Sequence, residues 1–292
     1  MKTKIICLCF ILLFITACSQ TEENSLETNY RQGYQGVDIN LLAPHDSVYE
    51  NTEPLLELEI SNLGAYDIEQ GEFSVTGFNS KYLELLEDET ISLIPKNENM
   101  FLGKNVLNPS GSTHPFYFRL KTKLIPFGKD LHQENFFLLA NYNYKTELIT
   151  NICLNTNQYN LAGANCEVPR EPIRLNGQGS PLAITQIQEI ITPGSNPKVD
   201  FIFTLENKGQ GKISQAVLEQ AKLGHLPLNC ERREIKFDEN EYQIQEHILI
   251  CSQEIKEFPS YETTLNLEFS FNYQLEQHHQ LNIKSRGTGL VS

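Results

Sequence analysis

The residues best suited to covalent chemistry in this chain are its cysteines. There are seven in 292 residues: Cys7, Cys9, Cys18, Cys153, Cys166, Cys230 and Cys251. The first three lie in or beside an apolar leading run. The other four form an even set, and an even set in an oxidising compartment goes to disulfides. Zinc would use thiols spaced C-x₂₋₄-C, and none of these four stands in such a pair. Four cysteines allow three pairings. Proximity along the chain favours Cys153–Cys166 and Cys230–Cys251, each closing a short loop worth about 3 kcal/mol on the chain-entropy account.

Other chemistry fails on spacing. No H-E-x-x-H or G-x-S-x-G occurs. Ser195 follows Gly194, but Asn196-Pro197 makes an ordinary turn there. His278 and His279 are adjacent, so on a strand they face opposite ways and cannot share a metal. Gly209-Gln210-Gly211-Lys212 lacks the phosphate-loop pattern, because Glu206 stands where glycine is needed and Ile213 where Ser or Thr is needed. Glu87-Asp88-Glu89 and Asp238-Glu239-Asn240-Glu241 are acidic loops without EF-hand spacing, and read as hydrated charge. In Phe116-Tyr117-Phe118 alternation sends the two phenylalanines inward and Tyr117 out. The expected sets of catalytic residues, metal ligands and cofactors are therefore empty.

The front of the chain is informative. Lys2 and Lys4 precede the apolar run Ile5–Ala17. Thirteen residues at about 1.5 Å each cannot cross a hydrocarbon core of roughly 30 Å, so the run reads as a secretory signal. Its end, Ile15-Thr16-Ala17-Cys18, resembles the lipobox of prokaryotic lipoproteins. The resemblance implies a diacylglycerol thioether on Cys18, which becomes the first mature residue, and two acyl chains suffice for stable anchoring. A plain signal cut after Ala17 and an uncleaved N-terminal anchor are the alternatives. All three place the rest of the chain outside the cytoplasm.

Net charge is −14, and loss of Lys2 and Lys4 with the signal makes the mature chain more acidic still. Such a surface repels phosphate backbones, so nucleic acid is excluded as a partner.

Residues 18–36 are polar and aperiodic and read as a flexible tether reaching on the order of 20–25 Å. Beyond them, short apolar–polar alternations are punctuated by Pro, Gly and Asn, as in an all-β sandwich. Such runs cover 37–42, 55–60, 71–78, 91–94 and 116–123. The long run 135–154 is expected to be a hairpin turning at Lys145-Thr146. In the second half, strands are expected over 182–191, 199–205, 234–237 and 242–251. Residues 214–223 read as a short helix between Ser214 and Gly224. The run 263–283 reads as a hairpin with its tip at Gln277-His278-His279.

The two halves repeat. Leu58-Glu59-Ile60-Ser61-Asn62-Leu63-Gly64 matches Phe203-Thr204-Leu205-Glu206-Asn207-Lys208-Gly209, and Asn141-Tyr142-Asn143-Tyr144 matches Ser270-Phe271-Asn272-Tyr273. Asn62 and Asn207 are expected to bond the backbone, and Gly64 and Gly209 to supply a positive φ. A strand ending in N-x-G resembles the CARDB family, Ig-like modules of bacterial and archaeal surface proteins. That resemblance implies an Ig-like sandwich serving adhesion or spacing, with no catalytic residue.

The expected fold class is all-β, with two tandem Ig-like antiparallel β-sandwich domains. The division is signal 1–17, tether 18–36, first sandwich 37–168, linker 169–180 and second sandwich 181–286. The expected role is a structural or adhesive lipoprotein of the cell envelope, lipid-anchored through Cys18 and facing the extracytoplasmic side. Its partners would be membrane lipid and an envelope protein or glycan. A solute- or glycan-binding subunit is the first alternative, and an extracytoplasmic hydrolase the second.

Overall fold

The structure is a computed structural model describing residues 29–44, 47–155, 166–238, 246–255 and 260–286. The signal, Cys18 and the acidic residues Glu239-Asn240-Glu241 lie outside the described residues.

Among the described residues, apart from one 3-10 turn at Asn29–Arg31, all regular structure is β. The first half contains β1 (Val37–Ala43), β2 (Ser47–Tyr49), β3 (Leu55–Asn62), β4 (Gly71–Thr76), β5 (Leu83–Leu85), β6 (Thr90–Ser92), β7 (Thr113–Thr122) and β8 (Leu131–Leu154). After a two-residue β9 (Ile173–Arg174) come β10 (Leu182–Thr192), β11 (Lys198–Asn207), β12 (Lys212–Leu223), β13 (Leu226–Pro227), β14 (Asn229–Cys230), β15 (Glu234–Lys236), β16 (Glu246–Glu254) and β17 (Tyr261–Lys284).

These strands form three sheets. Two smaller ones run β1-β3-β7-β5 and β14-β16-β11-β10-β9. The third runs β13-β12-β17-β8-β4-β6. The layers pack face to face. Phe73 of β4 meets Phe116 and Phe118 of β7 at ring-centroid distances of 6.1 and 6.0 Å. Alternation sets this directly: Leu56, Leu58 and Ile60 of β3 are fully buried, while the intervening glutamates reach the surface.

The strands β8 and β17 hold the chain together. They pair antiparallel without interruption from Leu131↔Lys284 to Leu154↔Tyr261, 24 residues each. At roughly 3.3 Å per residue this ribbon is about 80 Å long. The expected hairpins at Lys145-Thr146 and at Gln277-His278-His279 are therefore corrected to straight strand. Thr146 looked like a turn residue but points inward. Its hydroxyl donates to the Leu182 carbonyl (2.6 Å) and meets the Ser180 hydroxyl (2.7 Å), which removes the cost of burying it. His278 and His279 lie against Phe137 and Phe136 of β8, with ring centroids 5.3 and 5.6 Å apart, on opposite faces.

The ribbon has an approximate two-fold centre. Asn143 faces Asn272, flanked by Tyr142↔Tyr273 and Tyr144↔Phe271. These are the residues of the second repeated motif, each copy set against the other. The Asn272 side-chain amide donates to Asn143 across the centre (3.3 Å). Several of the remaining strands obey the same relation. Val37 pairs with Asn62 as Leu182 pairs with Asn207, and β4 and β12 take equivalent places outside β8 and β17.

The expected helix at 214–223 is strand β12. Register shifts between Ile213 and Ala216, and between Leu218 and Gln220, space its apolar residues irregularly. Two bulges thus imitate a helical period. The tether expected over 18–36 is docked from Asn29 on. Gly33 exchanges backbone hydrogen bonds with Asn176 and Gly179, and the Gly36 carbonyl accepts from Leu63. Arg31 pairs with Glu147 at 3.0 Å. The 169–180 stretch is packed too, with Gln178 and Ser180 buried.

Disulfides join Cys153 to Cys166 and Cys230 to Cys251. The first closes a separation of 13 residues. Cys153→Ser with Cys166→Ser is expected to lower unfolding free energy by about 3 kcal/mol, read as a lower urea midpoint. An unchanged midpoint would contradict this.

Candidate functional site

Both N-x-G turns are built alike. The Asn62 side-chain amide donates to the carbonyls of Tyr66 (2.8 Å) and Phe101 (3.0 Å), and its oxygen accepts from the Gly64 N–H (3.3 Å). Asn207 donates to the Gly211 carbonyl (2.8 Å) and accepts from the Gly209 N–H (3.2 Å). Each turn is then clasped by the last tyrosine of the other repeated motif. The Tyr144 hydroxyl donates to Asn62 (3.1 Å) and accepts from the Tyr66 N–H (3.3 Å). The Tyr273 hydroxyl accepts from the Gly211 N–H at 2.6 Å. Two motifs that look separate in sequence form one device, present once per half.

The glycines serve a purpose other than the expected one. Among the described residues positive φ occurs at seven other glycines, including Gly177 and Gly179, but not at Gly64 or Gly209. What excludes a side chain is proximity. A Cβ on Gly64 would lie 1.9 Å from the Tyr144 hydroxyl, and one on Gly209 would lie 2.0 Å from that of Tyr273. Burial pushes the Tyr142 and Tyr144 hydroxyls far up from their ordinary value, and that of Tyr273 up to about 12. All three stay protonated at neutral pH and act as neutral hydrogen-bonding groups.

A groove of about 680 Å³ runs beside the ribbon. One wall is Glu147–Thr150 of β8, and the other is Arg174–Gln178 with β9. Tyr30, Arg31, Gln32 and Val106 complete its lining. The Arg31 guanidinium reaches Glu147, yet its Nε is buried without a partner. Arg174 is exposed and makes no ion pair among the described residues. Sequence reading missed this groove, because its walls come from distant stretches that carry no shared motif.

The remaining candidates resolve into structural roles. Glu87 is held by Arg119, whose Nε donates at 2.6 Å, and this pairing holds the carboxyl below the usual range. Phe118 is buried, Phe116 partly so, and Tyr117 exposed. Lys212 opens β12, and Ser195 lies exposed on its turn. His132 and Glu134 pair at 2.5 Å beside the Tyr82 ring, as neighbours two apart on one face of β8. Among the described residues no group of three or more His, Cys, Asp or Glu side chains could hold a metal ion. None of their helices is long and apolar enough to cross a membrane.

Neither a protein-family profile nor a curated protein sequence matches this chain. Among solved structures, the CupB6 tip adhesin of Pseudomonas aeruginosa aligns over 87% of this chain and 97% of its own. Sequence identity is 10% and the TM-score 0.15.

Proposed function

We propose that this chain is an envelope lipoprotein, anchored through a diacylated Cys18, whose paired sandwiches serve a structural or adhesive role without catalysis of their own. The observation that carries the reading is the pair of closed disulfides in a chain that begins with a lipobox-like segment. Thiols pair stably outside the reducing cytoplasm, and Ile15-Thr16-Ala17-Cys18 supplies the means of staying at the membrane once there. The sheet order β1-β3-β7-β5 follows the A-B-E-D order of an Ig constant-type sheet, which supports two Ig-like units. In this reading each unit borrows the long strand of the other as the outermost strand of its second sheet. Partners would be membrane lipid and an envelope protein or glycan.

Intact-mass spectrometry of membrane-purified protein tests the anchor. The expected species starts at Cys18, carries at least a diacylglycerol, and disappears in Cys18→Ala. An unmodified chain in the soluble fraction would overturn it. Glycan and peptide arrays probed with unlipidated Cys18→Ser protein test the adhesive role. Retention of a ligand left covalently unchanged is expected, and turnover of a bound compound would reverse that reading.

A further inference from the structure

The groove beside β8 has a wall made of unused backbone. The Glu147 N–H donates to the Tyr66 hydroxyl (2.8 Å) and its carbonyl accepts from the same hydroxyl (3.2 Å). Both groups of Glu147 therefore point away from β17. In an antiparallel ladder this direction repeats every second residue. The N–H and C=O of Ile149 and Asn151 point the same way, and no partner meets them among the described residues. The strand β4, which covers this edge of β8 further back, pairs only with Phe137–Tyr142.

Proteins usually blunt such an edge with lysine, proline or a bulge. Residues 147–153 (ELITNIC) contain none of these, and their pairing with β17 is regular. Ile149 is half-exposed at the rim. The matching edge of β17, at the other end of the ribbon, is treated differently. There β2 adds as a short parallel strand, Ser47–Tyr49 on Asn282–Lys284. The fold thus already accepts an added strand further along the equivalent edge of β17, whereas no strand adds to this edge of β8 beyond β4 among the described residues.

We infer that the β8 edge at Ile149–Asn151 binds an extended peptide segment of a partner protein as an added strand, and that the segment carries a carboxylate. The backbone groups of Ile149 and Asn151 supply main-chain recognition, as in strand addition generally. The carboxylate follows from charge. Arg174 stands exposed on the facing wall and makes no ion pair among the described residues, whereas the Arg31 guanidinium is already paired with Glu147. A carboxylate spaced to meet the Arg174 guanidinium would make a charge-assisted hydrogen bond.

This deepens the adhesive reading and rests on it for the partner's nature as an envelope protein. The test uses the full chain from Cys18 with Cys18→Ser. Amide hydrogen exchange is measured first. Ile149 and Asn151 are expected to exchange far faster than Leu148 and Thr150, whose amides point to β17. Protection of Ile149 and Asn151 in the free monomer would mean that the chain covers its own edge, and would overturn the inference. If protection appears only as concentration rises, the edge belongs to a second copy, which also overturns it.

A phage-displayed peptide library is then selected on the same protein. Peptides alternating β-branched and acidic residues are expected, and they should restore protection at Ile149 and Asn151. Ile149→Pro removes one outward N–H without touching the ladder to β17, a position where proline is tolerated. It should weaken peptide binding at least tenfold with an unchanged melting temperature. Arg174→Glu should weaken it about as much. Peptides that bind equally well to both variants would place recognition elsewhere and sink the proposal, while leaving the lipid-anchor mass result untouched.

Discussion

Gly64→Ala is expected to destabilise the protein by about 3 kcal/mol or more, the upper range for overpacking a buried site. The added Cβ would meet the Tyr144 hydroxyl at 1.9 Å and the backbone oxygens of Gln35 and Gly179 at 2.6 and 2.9 Å. A side chain could swing aside, but the two backbone oxygens are fixed by the docked 29–36 and 173–181 segments. Relief therefore requires the clasp between Asn62 and Tyr144 to open, which strands buried hydrogen-bonding groups. Gly209→Ala should behave similarly, since its Cβ would meet Tyr273 at 2.0 Å and Pro181 at 2.7 Å. The control is Gly194→Ala, where nothing lies within 4 Å. That change should stay within about 0.5 kcal/mol of the parent. Urea unfolding at neutral pH gives all three values. A Gly64→Ala midpoint equal to that of Gly194→Ala would refute the clasp.

The second large effect concerns Glu189. It lies on the inward face of β10 with Ile187 and Ile191, across from Phe201 of β11. Both carboxyl oxygens are buried without a hydrogen-bond partner. Burial alone raises its pKa from 4.5 to about 8. The sign follows from linkage. Below about pH 4.5 the group is protonated whether the chain is folded or not, and costs nothing extra. Between pH 4.5 and 8 the unfolded chain releases the proton and the folded one keeps it, so stability falls as pH rises. Above 8 the loss is complete, on the order of 5 kcal/mol. Glu189→Gln cannot ionise. Its unfolding free energy should lack this slope, and at pH 8.5 it should exceed the parent's by a few kcal/mol. Denaturation at pH 5, 7 and 8.5 decides the matter. Parallel pH curves for parent and variant would show that Glu189 is solvated.

These two sites also show what the sequence could and could not reveal. Strand identity was readable where apolar residues alternate regularly on the face that meets the core. Leu56, Leu58 and Ile60 alternate with glutamates, and the alternation is the fold. The repeat was readable as well, since Asn62/Gly64 and Asn207/Gly209 fall at matching strand ends. The function of the glycines was not. A positive φ is a local property, whereas the close approach of Tyr144 is a contact across 80 residues, and only the fold supplies it. Strand continuity was lost for a related reason. Lys145-Thr146 and His278-His279 are polar where the alternation would continue, and nothing in the sequence announces that Ser180, Leu182, Phe136 and Phe137 will receive them. Bulges in β12 disguised a strand as a helix. The groove was invisible because residues 30–31, 147–150 and 174–178 are far apart along the chain and carry no shared motif.

The length of the β8–β17 pair bears on how the protein would respond to mechanical tension. The chain enters the fold beside Glu147, near the middle of the ribbon, and leaves it at Lys284, at one end. Tension drawn along the strand axis loads the cross-strand bonds in shear, so that many must rupture together. Pulling across the axis would break them one after another. A molecule pulled along this axis would therefore yield late and abruptly, and its rupture force would depend on the direction of the pull.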